Sequence, residues 1–86
     1  PAITGPILRL YPDPTTGLVL LSGYAPGLYT INVYDQAGRC AWRGTMRLHV
    51  SATQLELPAS LPSGKYVIET RSDRGQVQRF PVTLMR

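Results

Sequence analysis

Apolar and polar residues alternate along most of this chain in short runs, each closed by Gly, Pro, Asp or Ser. Side chains of an extended strand point to opposite faces in turn, so a period of two predicts strands rather than helices. Seven strands are predicted, near Ile7 to Leu10, Leu18 to Leu21, Leu28 to Tyr34, Arg39 to Val50, Gln54 to Leu57, Lys65 to Arg71 and Val77 to Leu84. The first six residues carry two prolines and no period, which marks residues 1–6 as linker and residues 7–86 as the domain. An all-β antiparallel β-sandwich is the expected architecture.

The clearest alternation lies between Cys40 and Val50. Cys40, Trp42, Met46, Leu48 and Val50 share one face, with Gly44 in the gap, while Arg39, Arg43, Thr45, Arg47, His49 and Ser51 share the other, interrupted by Ala41. One face should pack into the core, anchored by Trp42 with Cys40 beside it, and the other is basic. The segment is too long for one straight strand and is expected to bend or break near Gly44. Farther on, Phe80, Val82 and Leu84 face in while Arg79 and Thr83 face out. Pro81 has no N–H for a ladder, so the last strand should lie at a sheet edge or bulge there.

A second pattern is an internal echo. Gly27, Tyr29, Ile31 and Gly38 recur as Gly64, Tyr66, Ile68 and Gly75, each pair 37 positions apart, with Pro26 and Pro62 just before each copy. Each copy runs Gly, strand, four-residue turn, strand. The turns are Asp35-Gln36-Ala37-Gly38 and Ser72-Asp73-Arg74-Gly75, where a short polar side chain can bond the backbone ahead and the Gly accepts a left-handed conformation. The register is lost beyond the turns, which excludes a solenoid. Two similar hairpins are predicted, and opposite sheets could hold them.

Composition narrows the chemistry. No apolar run of the 86 residues approaches the roughly 20 that a membrane-spanning helix needs. One Cys excludes an internal disulfide, and one His makes a protein-only zinc site implausible. No cofactor is expected. Cys40 and His49 fall on opposite faces, whereas a Cys–His nucleophile pair needs both on one side. The carboxylates Asp13, Asp35, Glu56, Glu69 and Asp73 are scattered, and Asp35 and Asp73 are explained by turns. The domain is not expected to be an enzyme. Nine basic against five acidic residues give a net charge of +4, and eight of the nine are arginines. Arg39, Arg43 and Arg47 form a stripe that Lys65, Arg71 and Arg79 could extend. A binder of single-stranded nucleic acid would also display stacking aromatics there, but the aromatics are mostly assigned to the core or to corners. No nucleic-acid partner is expected. Tyr66, just after a corner, has the position of a sandwich-corner tyrosine whose hydroxyl bonds back to nearby backbone. The chain begins at Pro1 without an initiator Met or signal peptide, which suggests a piece of a longer protein.

Three motifs remain. Pro12-Asp13-Pro14-Thr15-Thr16-Gly17 follows the first strand, behind Leu10-Tyr11. Tyr34-Asp35-Gln36-Ala37-Gly38-Arg39 makes the first hairpin turn. Leu61-Pro62-Ser63-Gly64-Lys65-Tyr66 enters the sixth strand. In this order they resemble the type A C-terminal sorting domain of the type IX secretion system of Bacteroidota. That family reads Tyr-Pro-Asn-Pro, two residues, Gly; then Tyr-Asp and Gly-Arg; then Leu-Pro, one residue, Gly, one residue, Tyr. The match spans nearly all of the chain from Ile7. It departs in two places: Asp13 stands for the usual Asn, and the tail from Arg79 to Arg86 lacks the familiar lysine followed by a β-branched run.

The resemblance implies an immunoglobulin-like sandwich that directs a parent cargo protein from the periplasm to the outer-membrane surface or the extracellular space. It implies recognition by type IX shuttle proteins and the outer-membrane translocon. For many cargoes it also implies cleavage upstream by a surface sortase of the cysteine-protease type, with attachment to anionic lipopolysaccharide. The motif residues carried over are Pro12, Asp13, Pro14, Gly17, Tyr34, Asp35, Gly38, Arg39, Leu61, Pro62, Gly64 and Tyr66. The expected docking surface is Arg39, Arg43, Arg47, Arg79, Val82 and Leu84. The rival expectation is an immunoglobulin-like or fibronectin-like module serving as an adhesive or structural part of a surface protein.

Overall fold

The computed structural model describes residues 6–11 and 15–85. Seven strands follow one another without a helix among the described residues: β1 (Ile7–Leu10), β2 (Leu18–Ser22), β3 (Gly27–Tyr34), β4 (Cys40–Leu48), β5 (Thr53–Glu56), β6 (Gly64–Ser72) and β7 (Val77–Leu84). All pairings are antiparallel, in one sheet of order β1-β2-β5 and another of order β4-β3-β6-β7. The two sheets face each other as an immunoglobulin-like sandwich. Its core takes Leu8, Val19 and Leu21 from the smaller sheet, and Tyr29, Ile31, Val33, Leu48, Tyr66, Ile68 and Leu84 from the larger. Each large side chain fully buried here contributes about 1.5–3 kcal/mol.

The alternation places inner and outer faces as expected, with an instructive exception in β4. Val33 pairs with Trp42 but Tyr34 pairs with Cys40, so Ala41 is an extra residue in a β-bulge. One inserted residue reverses the parity of everything before it. Cys40 is consequently exposed, not inward. The expected break near Gly44 is absent, and β4 runs unbroken past it. Gly44 has another role: a Cβ there would lie 2.5 Å from Cη2 of Trp42, so the indole lies directly over the bare Cα. Trp42 is half-buried at the rim of the core, and the buried aromatic at the centre is Tyr24. Tyr24 packs edge-on against Tyr29, with ring centroids 5.2 Å apart, and accepts a hydrogen bond from the Thr70 hydroxyl. β4 ends at Leu48, leaving Val50 68% exposed outside the sheet.

β7 is an edge strand, as Pro81 requires. Ser72 donates its N–H toward β7, to Gln76, and alternation then turns Thr70, Ile68 and Tyr66 to the same side. Val67, opposite Pro81, therefore faces away from β7, and the missing N–H of Pro81 falls on the open edge, where no rung is lost.

The two echoing hairpins lie in the same sheet, not in opposite ones. Their central strands pair with each other, and adding 37 to a residue of β3 gives its counterpart in β6. Ile31↔Thr70 and Val33↔Ile68 exchange under this rule, while Asn32↔Glu69 maps onto itself. A pseudo-two-fold axis therefore passes through the Asn32–Glu69 pair. The bulge at Ala41 explains why the echo fades beyond the turns. It shortens the offset to 36, after which Arg43, Met46 and Leu48 correspond to Arg79, Val82 and Leu84.

Candidate functional site

The two turns have the same construction. Asp35 Oδ1 accepts hydrogen bonds from the N–H groups of Ala37 (2.9 Å) and Arg39 (3.0 Å), and Ser72 Oγ accepts from those of Arg74 (3.2 Å) and Gln76 (3.0 Å). Gly38 at φ 80° and Gly75 at φ 87° close them in the left-handed region that glycine enters without a steric penalty. Arg39 turns back so that its Nε lies 3.3 Å from Asp35 Oδ2. The backbone N–H of Arg39 is the main cause holding the Asp35 carboxyl below its ordinary range, with smaller help from the Ala37 N–H and the Arg39 charge.

The corners are also matched. The Tyr66 hydroxyl donates to the Pro62 carbonyl at 2.7 Å, and the Tyr29 hydroxyl donates to that of Ala25 at 2.8 Å. Both rings are buried, so each bond fixes the angle at which the chain enters its strand. The expected tyrosine corner is present, and present twice.

Two of the motifs meet. The turn from Asp35 to Arg39 and the corner from Pro62 to Tyr66 face each other across a cleft of about 300 Å³. The end of the third reaches the same region through the intervening chain. Gly17, buried at φ 71°, accepts a hydrogen bond from the N–H of Leu57 at 2.8 Å. From Leu57 the chain runs by way of buried Leu61 into Pro62. Pro12, Asp13 and Pro14 lie outside the described residues. Motifs far apart in sequence thus border one end of the sandwich.

The basic stripe lies on the outer face of the larger sheet, built around residues that sequence reasoning passed over. Asn32 and Glu69 are on that face yet only 5% and 3% exposed. Asn32 Nδ2 donates to Glu69 Oε1 at 3.1 Å, Arg43 Nε donates to Asn32 Oδ1 at 2.7 Å, and Arg79 Nε donates to Glu69 Oε2 at 3.1 Å. Arg71 approaches Glu69 Oε1 at 3.6 Å. A polar row thus crosses all four strands, with Arg43 and Arg79 as its two ends. Alternation shows only that Asn32 and Glu69 face outward; their place on the axis of the echo was the one sequence signal of their pairing.

The remaining expected docking residues divide. Arg47 is exposed on the outer face, opposite Leu28. Arg39, its side chain 81% exposed, belongs to the turn rather than to the stripe. Leu84 is only 1% exposed and faces inward, so its side chain is closed to a partner, whereas Val82 is half-buried, packs against the core and borders clefts beside Pro81 and Thr83. Cys40 and His49 stand at opposite ends of β4, roughly 30 Å apart along an extended strand.

Two antiparallel sheets closed by matched turns and tyrosine corners place this chain in the class of small immunoglobulin-like β-sandwich modules. The family to which it belongs follows from the sequence match: the model of the secretion system C-terminal sorting domain covers residues 9–82, and the chain belongs to that family. It is thus a type IX sorting domain of the kind found in Bacteroidota, carried by a cargo protein and destined for the cell surface or the extracellular space. Domains of this family are generally non-catalytic. No curated protein and no solved structure matches the chain.

Proposed function

We propose that this domain is recognised in the periplasm by type IX shuttle proteins and the outer-membrane translocon, and that it takes its cargo across the outer membrane. The observation carrying this reading is the family match along residues 9–82, which embraces the whole sandwich except its outermost positions. Cleavage upstream by a surface sortase, within or near residues 1–6, belongs to the same proposal. So does transfer of the cargo to anionic lipopolysaccharide, which Arg43, Arg47 and Arg79 on the outer face would meet while the domain is still attached. Arginine forks suit phosphate and carboxylate groups through paired N–H donors.

The test is a reporter assay in a type IX-competent host, with the 86 residues fused behind a periplasm-targeted fluorescent protein. Surface or medium signal that is lost when the domain is omitted supports sorting. A surface reporter smaller by about the domain's 9.5 kDa identifies cleavage. Equal periplasmic retention with and without the folded domain refutes the proposal and favours the structural-module reading. That second reading draws on the fact that Asp35, Gly38 and Tyr66 each have a complete role in the fold.

A further inference from the structure

Apart from the bulge at Ala41, the larger sheet departs from its two-fold symmetry in the seam between β3 and β6. Arg71, Glu69, Val67 and Lys65 alternate with the residues facing β7, so their N–H and C=O groups turn toward β3. At one end the ladder continues past the strand: the Asp73 N–H donates to the Leu28 carbonyl at 3.2 Å, with the Asp73 carboxylate beside Gly27. The equivalent rung at the other end would join the Gln36 N–H to the Lys65 carbonyl. It is not formed, because the β3–β6 register stops at Tyr34↔Val67. The cleft of about 300 Å³ opens there instead. Its walls are fixed, one by the bonds to Asp35 Oδ1 and the other by the Tyr66–Pro62 bond.

We propose that this cleft is where the export machinery grips the domain, and that the occupant is an extended peptide segment of a translocon protein completing the missing rung. The inference rests on the sorting reading and adds the site and the mode of contact. A peptide is favoured because the Lys65 wall presents a donor and an acceptor side by side, and an adjacent strand answers both. A phosphate could accept from an N–H but offers nothing to the Lys65 carbonyl. Lys65 and Arg39 outnumber Asp35 at the rim, which favours an acidic side chain on the incoming segment. The open end is also the one bordered by two family motifs, whereas the closed end, with Ser72 to Gly75 and Ala25 to Tyr29, carries neither.

The symmetry provides the control. Ala37 and Arg74 occupy equivalent exposed positions in the two turns, each donating its N–H to the turn's first side chain. In the reporter fusion, Ala37→Trp should lower export roughly tenfold, while Arg74→Trp should export like the unaltered chain. Both variants are checked for a cooperative melt. Equal export by the two, or equal loss by two folded proteins, overturns the inference. Should Ala37→Trp fail to fold, a photo-crosslinking p-benzoylphenylalanine at Gln36, compared with one at Arg74, decides in its place. An adduct with an identified translocon protein from Gln36 alone supports the cleft; adducts from Arg74 alone, or from neither, refute it. Failure of the unaltered chain to export at all would refute the sorting reading first, before the variants are compared.

Discussion

Single side chains hold the turns and corners, and their contributions are separable. Tyr66→Phe removes one hydrogen bond and leaves the Pro62 carbonyl without its partner, for a loss of about 1–2 kcal/mol. In a domain of this size that lowers Tm by roughly 4–8 °C per kcal/mol. Tyr29→Phe should behave alike, since its bond to Ala25 is equivalent, and thermal melts of both variants check this. A variant that melts like the parent would show that water serves the abandoned carbonyl as well as the tyrosine hydroxyl does. Asp35 makes the turn pH-dependent. Its folded pKa lies below the ordinary value of 3.8, so its stabilisation is complete above that value and fades as pH falls through the folded pKa. Melts of the parent should therefore decline on acidification more steeply than those of Asp35→Asn, and parallel slopes would refute the assignment. The turns were legible from sequence because their chemistry is local. Cys40 was not, because its facing depends on a bulge whose extra residue, Ala41, carries no distinguishing side chain.

At the scale of the strand, β4 shows how a bulge and a glycine share work that the sequence suggests for one of them. The overlong alternation at residues 39–50 correctly implied an irregularity, but it occurs at Ala41, where the strand leaves its turn. Gly44 instead makes room for the Trp42 indole. Gly44→Ala should cost about 1–3 kcal/mol, because a Cβ there forces the ring off its site. Pairing it with Trp42→Leu should recover part of that loss, and a double-mutant cycle measures the coupling. Additive losses would mean that the ring moves freely and that Gly44 serves some other need. Six other strands matched their expected positions within a residue or so, since each is a short period-two run between turn residues. Their partners in the sheets were less visible. Alternation reports which face a residue takes, not which strand lies beside it.

In the whole molecule, the polar row at Asn32 and Glu69 joins the two hairpins. Glu69→Ala removes the acceptor that serves Asn32 and Arg79 and that Arg71 approaches, for an expected loss of about 2 kcal/mol. That is below the figure for a fully buried ion pair, since the side chains of Arg71 and Arg79 are 52% and 65% exposed and reach water. Urea unfolding checks it, and a change under about 0.5 kcal/mol would leave the row without measurable energetic weight. The axis through this pair also governs the order of assembly. Each hairpin joins strands that are neighbours in sequence and forms within about 1–10 μs, but the halves must then meet across positions 37 apart. The folding barrier should therefore lie at the seam between them, so that Ile68→Val slows refolding more than it speeds unfolding in stopped-flow experiments. Acceleration of unfolding alone would place the seam after the barrier. With the barrier at the seam, two hairpins that are each marginal alone become lasting structure only in the step that brings Asn32 to Glu69.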